Sequence, residues 1–304
     1  MAEKVQVSVA GRALGLSNLD KVLFPDLGFT KGEVIDYYTR AADVLLPHLA
    51  GRALTVIRFP NGIEGHSFFE KNAPKSTPDW VRKVTLPAPG STKNRATIDY
   101  IVVEELATLV WLANLAALEM HVHQWQVDPD GTALPADQLV VDLDPGPPAG
   151  LNECAEVALM LRDHLADAGF TPVVKTSGSK GMQLTAPIEA TDSDVVSEYL
   201  HDIARQLESE HPTLVLSAMT RALRPGKVFL DWSQNNAAKT TVAPYSLRAR
   251  PGATASTPLT WDEVAAGGLR QFHAGEVLDR VAELGDLYEP ALDDGLRVPL
   301  PEAG

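Results

Sequence analysis

Cysteine is nearly absent from this 304-residue chain, where Cys154 stands alone. That excludes an intramolecular disulfide and any zinc site built on several thiolates. Long apolar runs are missing too: none could cross a bilayer, and the opening MAEKVQVSVAG lacks the apolar core of a secretory leader. A reducing cytoplasm with no membrane partner is the expected setting. Positive charge is also short, with 26 Lys+Arg against 40 Asp+Glu and a formal net charge of −14. A uniformly basic surface for nucleic acid is excluded by that balance. What remains, 45% hydrophobic and 22% charged, is ordinary globular composition with ample material for a core.

The charge is unevenly spread. Residues 1–100 carry a net +3 and the remaining 204 carry −17. Within that acidic part, residues 221–250 hold six basic residues and only Asp231 as acid. Two basic tracts in an acidic body suit a channel for phosphates, though a solvated face would give the same counts.

The apolar pattern predicts a mixed α/β (α+β) fold with hairpins as well as crossovers. VQVSVAGRALGLS reads as an opening hairpin. The helix beginning at Lys31 is opened by Thr30, with Glu33 completing a capping box, and is expected to kink or end near Pro47. ALTVIRFP and ATIDYIVV read as strands, GHSFFEKNAPKSTPDWV as mostly loop, and EELATLVWLANLAALEMH as one buried helix. The second half alternates more clearly. Strands QLVVDLD, TPVVKT, MQLTAPI and KVFLDWSQ are interleaved with helices NECAEVALMLRDHLADAG and DSDVVSEYLHDIARQLESE, then two short helices follow. No repeat, low-complexity tract or long linker divides the chain. One two-lobed unit is expected, with mixed sheets flanked by helices. Its division runs roughly 1–125, 126–250 and a helical tail over 251–304.

The chemistry begins with LVVDLDPG. Alternate strand residues point the same way, so Asp142 and Asp144 share a face with Cα atoms about 6.6 Å apart. Two like charges at that spacing call for a cation, and a divalent metal prefers carboxylate oxygens. Asp231, ending the strand KVFLD, is a third strand-end acid. Three such carboxylates meet the requirement of a two-metal phosphoryl-transfer site. KTSGSKG adds a glycine turn in which Ser177, Ser179 and Lys180 offer donors to phosphate, without Walker A spacing. Arg224 and Arg248 suit further phosphate contacts. In HSFFEKNAPK, Phe68 and Phe69 lie beside Lys71 and Lys75, as a base-stacking surface requires, although paired aromatics are more often core. His121 and His123 lack an acidic third ligand nearby and read as hydrogen-bonding residues.

These stretches resemble a known family. VVDLDPG, TSGSKG and VFLDWSQNNAAKTTVAPYSLR, together with LSNLDKVLFP, RFPNG, FFEKN and ALEMHVHQW, are similar to the archaeo-eukaryotic primase superfamily. The likeness is to the polymerase domain of bacterial ligase D and its stand-alone relatives, and it spans nearly the whole chain. It implies a template-dependent nucleotidyltransferase that extends a primer 3′-OH at short gaps or ends, often favouring ribonucleotides and manganese. DNA repair by gap filling or non-homologous end joining is the implied setting, on the nucleoid. The implied partners are DNA with a 5′-phosphate, NTP or dNTP, and a DNA ligase or end-binding repair protein; a monomer is expected. By the resemblance, Asp142, Asp144 and Asp231 hold two divalent ions, Mn2+ or Mg2+. His121, Ser177, Lys180, Gln183, Arg224, Gln234 and Arg248 match nucleotide-gripping positions. Lys21 and Lys31 match the lysines that take a downstream 5′-phosphate. Phe68 and Phe69 match aromatics that pack on template, and Arg58 and Lys71 fall in the same DNA-binding part.

Two departures stand out. The family usually places histidine where this chain has Gln183, and an amide cannot carry imidazolium charge. Ile57 stands before Arg58 where a second basic residue is expected. Two rival readings remain. A haloacid-dehalogenase-type phosphatase also uses D-x-D, but its further acidic pair would have to come from LDDG at 292–295, in a Pro-rich tail. A non-catalytic DNA-end-binding module would tolerate Gln183.

Overall fold

The computed structural model describes residues 4–88 and 95–301, arranged around two principal sheets that each cover an apolar core of their own. The first sheet runs in the order Thr241–Val242, Ala117–Val122, Ala53–Arg58, Thr97–Val102, Lys83–Pro87, with Phe68–Glu70 also paired to Ala53–Arg58. Its pairings are all antiparallel. Helices Lys31–Arg40, Ala42–Leu49 and Leu106–Asn114 bury Val34, Tyr38, Leu45, Leu109 and Leu112 in one cluster with Leu54, Val56, Leu118 and Met120 of that sheet.

Thr30 and Glu33 form the expected capping box, Glu33 Oε2 accepting from the Thr30 amide at 2.7 Å. The helix does not run on to Pro47. It divides at Ala41, and a second helix over Ala42–Leu49 carries Pro47 inside it and buries Leu45 and Leu49. The opening hairpin, Lys4–Val9 with Arg12–Ser17, turns at Ala10 and Gly11, both with positive φ as a tight hairpin requires.

One apolar run was two elements rather than one. The expected helix over EELATLVWLANLAALEMH stops at Asn114, and Ala117–Val122 is a strand in the middle of the first sheet. Ala116, at φ +58°, makes the corner. A continuous apolar run does not by itself distinguish a buried helix from a buried strand. The alternation that decides it is short: Leu118 and Met120 enter the core, while Glu119 and His121 face away. GHSFFEKNAPKSTPDWV is mostly loop but includes the short strand Phe68–Glu70.

The second sheet positions the site. Its order is Val215–Leu216, Val228–Asp231, Ala133–Pro145, Met182–Thr191, Val173–Thr176, Pro258–Leu259, with Trp125–Val127 also paired to the central strand. Helices Leu151–Asp167 and Ser193–Glu210 share one buried cluster with one face of it. Leu139, Val141, Leu143, Val174, Leu184 and Leu230 lie in that cluster. The intervening residues Asp142, Asp144, Lys175, Gln183 and Asp231 belong to the opposite face, because strand side chains alternate. Period-two patterning thus separates a dry face from a polar one.

The two lobes are not consecutive segments of chain. Thr241–Val242 returns from the second half to pair with His121 and Val122. Arg52 donates a fork of two 2.9 Å hydrogen bonds to Asp137 on the central strand, and Gln126 donates to the same carboxylate at 2.9 Å. The C-terminal part is woven in as well: Pro258–Leu259 extends the second sheet, while Ala274, Val277 and Leu278 enter the first core.

Candidate active site

The strand register sets the centre of the site. Asp142 lies directly opposite Asp231 on one side and Gln183 on the other, and Asp144 lies opposite Phe229. Carboxylate oxygens of Asp142, Asp144 and Asp231 all come within 4.8 Å of one another. Burial and the neighbouring Asp144 push the Asp142 carboxyl up to about 7, a hydrogen bond from Gln183 opposing them. Asp144 is raised too, chiefly by burial, with Arg224 opposing from 3.5 Å. Three hard oxygen donors that repel one another fit a divalent cation, which would turn repulsion into coordination.

Beside the acids lies a cleft of about 370 Å³. His121, Ser177, Lys180, Gln183, Gln234 and Arg248 all line it, with Asp142 and Asp144. The TSGSKG turn is braced internally. Ser177 Oγ accepts from the amides of Ser179 and Gly181, each at 3.2 Å. Gly178 has φ +69°, and a Cβ there would meet Arg248 Cγ at 2.6 Å. At Gly181 a Cβ would lie 1.9 Å from the Leu143 carbonyl oxygen, so the turn can sit against the aspartate strand only as glycine. Lys180 is left exposed, with its charge acting on Asp144.

Arg248 and His121 share a partner absent from the sequence reading. Glu119 Oε2 lies 3.0 Å from Arg248 Nε and 3.0 Å from His121 Nε2. Burial works against its ionisation, yet the His121 hydrogen bond and the Arg248 charge hold Glu119 down at about 2. His121 itself is lowered, by burial first and by Arg248 and Lys175 after. Glu119 precedes His121 by two strand positions and so shares its face, the signal that could have identified it. Gln234, expected at the nucleotide, donates to Asp231 Oδ2 at 2.7 Å. Ser233 Oγ also donates to Asp231 and accepts from Lys239 Nζ. Arg224 flanks the cleft, its guanidinium 4.1 Å above the Phe229 ring. His123 hydrogen-bonds the Ala53 carbonyl at 2.9 Å, away from the acids, and burial lowers it to about 4.

None of the expected DNA-binding residues lines the cleft. Lys21 and Lys31 are neighbours: the Lys31 amide donates to the Lys21 carbonyl at 2.8 Å. Their side chains end on protein oxygens, Lys21 on Asn61 Oδ1 and Lys31 on the Asn114 carbonyl, both at 2.9 Å. Lys31 is buried and lowered, by desolvation first and the Lys21 charge second. Phe68 and Phe69 are 44% and 55% exposed, far more than core aromatics. Arg58 is occupied by Glu70, with both contacts at 3.0 Å, and by the Leu115 carbonyl. Lys71 donates to the Ala238 carbonyl at 3.0 Å. The LDDG segment lies in two 3-10 turns, Glu289–Leu292 and Asp294–Leu296, not on a strand beside the acids.

Comparisons with known proteins point to one family. The family model "LigD, primase-polymerase domain" matches residues 30–288. The chain is 45% identical over 276 residues to the multifunctional non-homologous end joining protein LigD of Mycolicibacterium smegmatis, covering 90% of this chain and 35% of that protein. It is 34% identical over 290 residues to the bifunctional non-homologous end joining protein LigD of Bacillus subtilis, covering 93% and 45%. It therefore spans about a third to under half the length of these relatives. The solved polymerase domain from Mycobacterium tuberculosis Ligase D in complex with DNA superposes with a TM-score of 0.88 at 43% identity, covering 92% of this chain and 98% of that one. The chain belongs to the LigD primase-polymerase domain family.

Proposed function

We propose that this chain is a DNA-dependent nucleotidyltransferase that extends a primer 3′-OH across short gaps or at broken ends, favouring ribonucleotides. The observation that carries the reading is the convergence of three carboxylates within 4.8 Å beside a cleft with Lys180 and Arg248 on its wall. Asp142, Asp144 and Asp231 would hold the divalent ions, Mn2+ or Mg2+, which when bound supply activation of the attacking oxygen and charge neutralisation at the transferring phosphoryl group.

The remaining work falls to this chain's own side chains. Lys180 and Arg248 bring positive charge to the triphosphate, and the Glu119 carboxylate fixes the Arg248 guanidinium by an ion pair at 3.0 Å. Glu119 also orients His121, and a carboxylate partner requires the facing ring nitrogen to donate. Gln234 and Ser233 fix the two oxygens of Asp231. Along the first sheet, Phe68 and Phe69 offer exposed rings to template bases. Lys21 and Lys31 take the downstream 5′-phosphate. Residues 1–125 thus serve DNA apart from Glu119 and His121, which belong with 126–250 to the nucleotide, and the C-terminal part buttresses both. The setting is non-homologous end joining in the cytoplasm on the nucleoid, as a monomer, with a ligase or end-binding protein nearby.

The test is to incubate the protein with gapped, 5′-phosphorylated DNA, manganese, and each NTP and dNTP separately, and to resolve primer lengths. Templated extension with rNTP kcat/KM at least equal to that of dNTP supports the reading. A clear dNTP preference would remove the ribonucleotide assignment. DNA binding with no incorporation would favour a non-catalytic end-binding module, and phosphate release from a simple phosphoester a phosphatase.

A further inference from the structure

Four side chains form a row across the polar face of the second sheet. Register places Asp231 opposite Asp142, Asp142 opposite Gln183, and Gln183 opposite Lys175. Directly opposed residues on neighbouring strands project from the same face. The row therefore reads carboxylate, carboxylate, amide, ammonium.

Lys175 is only 2% exposed, and all of its hydrogen-bonding capacity is used. Its ammonium donates to Gln183 Oε1 at 2.6 Å, to the Val242 carbonyl at 2.9 Å and to Ser256 Oγ at 2.7 Å. An ammonium has three N–H groups, so none is left for a phosphate. The Tyr288 ring lies 6.0 Å from it and adds a cation–π contact. The hydrogen bond to Gln183 is the ammonium's one contact directed toward the acids, while its charge also reaches Asp142 and His121 through space.

The amide has one orientation open to it. Which end of a glutamine is oxygen is ordinarily ambiguous, but the Lys175 donor at 2.6 Å calls for the oxygen on its side. With its oxygen taken by Lys175, Gln183 presents its N–H groups toward Asp142, the residue directly opposite on the neighbouring strand. Asp231, facing Asp142, is held in the same manner: Lys239 donates to Ser233 Oγ, which donates to Asp231.

We propose that Lys175 and Gln183 act as a positioning pair that fixes the Asp142 carboxylate for a divalent cation, Gln183 carrying the orientation and Lys175 locking Gln183. The proposal rests on the reading of the three aspartates as a metal site. Outer residues that hold a ligand in place typically change metal affinity 10–100-fold when lost.

The experiment measures Mn2+ binding to the nucleotide-free protein by electron paramagnetic resonance of the free ion, for the parent, Lys175→Met, Gln183→Met, the double variant and Asp231→Ala. Thermal melting checks the fold of each. The expected result is a ~10–100-fold weaker Mn2+ affinity for either single variant, and no further loss in the double, because the two act as one unit. Folded Lys175→Met or Gln183→Met binding Mn2+ as the parent does would overturn the positioning pair, as would losses that simply add. If Lys175→Met fails to fold, Gln183→Met decides alone, since it leaves two of the Lys175 hydrogen bonds in place. Failure of the underlying metal-site reading is distinct: the parent and Asp231→Ala would then bind Mn2+ equally or not at all.

Discussion

The two sheets hold their working residues in opposite ways. On the second sheet each aspartate sits on an interior strand with a fixed partner: Gln183 for Asp142, Arg224 for Asp144, Ser233 and Gln234 for Asp231. On the first lobe Phe68 and Phe69 are exposed and Lys21 reaches Asn61 across the surface, although Lys31 is buried against the Asn114 carbonyl. Phosphoryl chemistry needs atoms placed to a fraction of an ångström, so its residues grow from strands packed on both sides. A DNA backbone is a repeating charge that tolerates imprecise contacts, so mobile side chains suffice for it.

The sharpest way to break this contrast is at the acids. Asp142→Ala, Asp144→Ala or Asp231→Ala should abolish primer extension while leaving DNA binding largely intact, measured by primer-length gels beside fluorescence anisotropy. Substantial extension by Asp231→Ala would remove it from the site. Next in size is the cleft wall. Arg248→Ala should raise KM for the nucleotide ~10–100-fold, from about 1.5–3 kcal/mol for a hydrogen bond to a charged group, with DNA affinity little changed. An unchanged KM would place the triphosphate elsewhere.

The DNA side is tested by Lys21→Ala combined with Lys31→Ala. The parent should bind a gap with a 5′-phosphate more tightly than the same gap with a 5′-hydroxyl, and the double variant should not distinguish them. Its log K against log[salt] slope should flatten by up to ~1.8, at about 0.9 per phosphate contact. Single-turnover extension of pre-bound substrate should change little. If the double variant still distinguishes phosphate from hydroxyl, the pocket lies elsewhere.

The smallest effect concerns acid. Glu119 falls from its usual 4.5 to about 2 in the folded protein, so between those values the unfolded chain binds more protons. Its contribution to stability is complete above pH 4.5 and drains away as pH falls toward 2. Glu119→Gln should therefore flatten the loss of stability across that window, followed by urea denaturation at several pH values. A variant with the parent's pH slope would contradict the pairing with His121 and Arg248.

Much of this was legible because strands advertise themselves by period two. LVVDLD shows its dry and polar faces in the letters alone, and Thr30 with Glu33 marks a helix start without any tertiary information. What stayed hidden depends on which strands become neighbours. Lys175 reads as one lysine in VVKT, and only the register with Gln183 and Asp142 gives it a role. Glu119 was lost with the helix assigned over it. Arg58 read as a free cation for DNA, whereas the pairing of its strand with Phe68–Glu70 hands it Glu70.

The edges of the second sheet carry a further consequence. It ends on one side in Val215–Leu216 and on the other in Pro258–Leu259, each two residues long, and Pro258 has no N–H to offer. A sheet so terminated gives another chain almost no backbone to template on. Any contact between copies made at these two edges would thus fall to side chains rather than to backbone pairing.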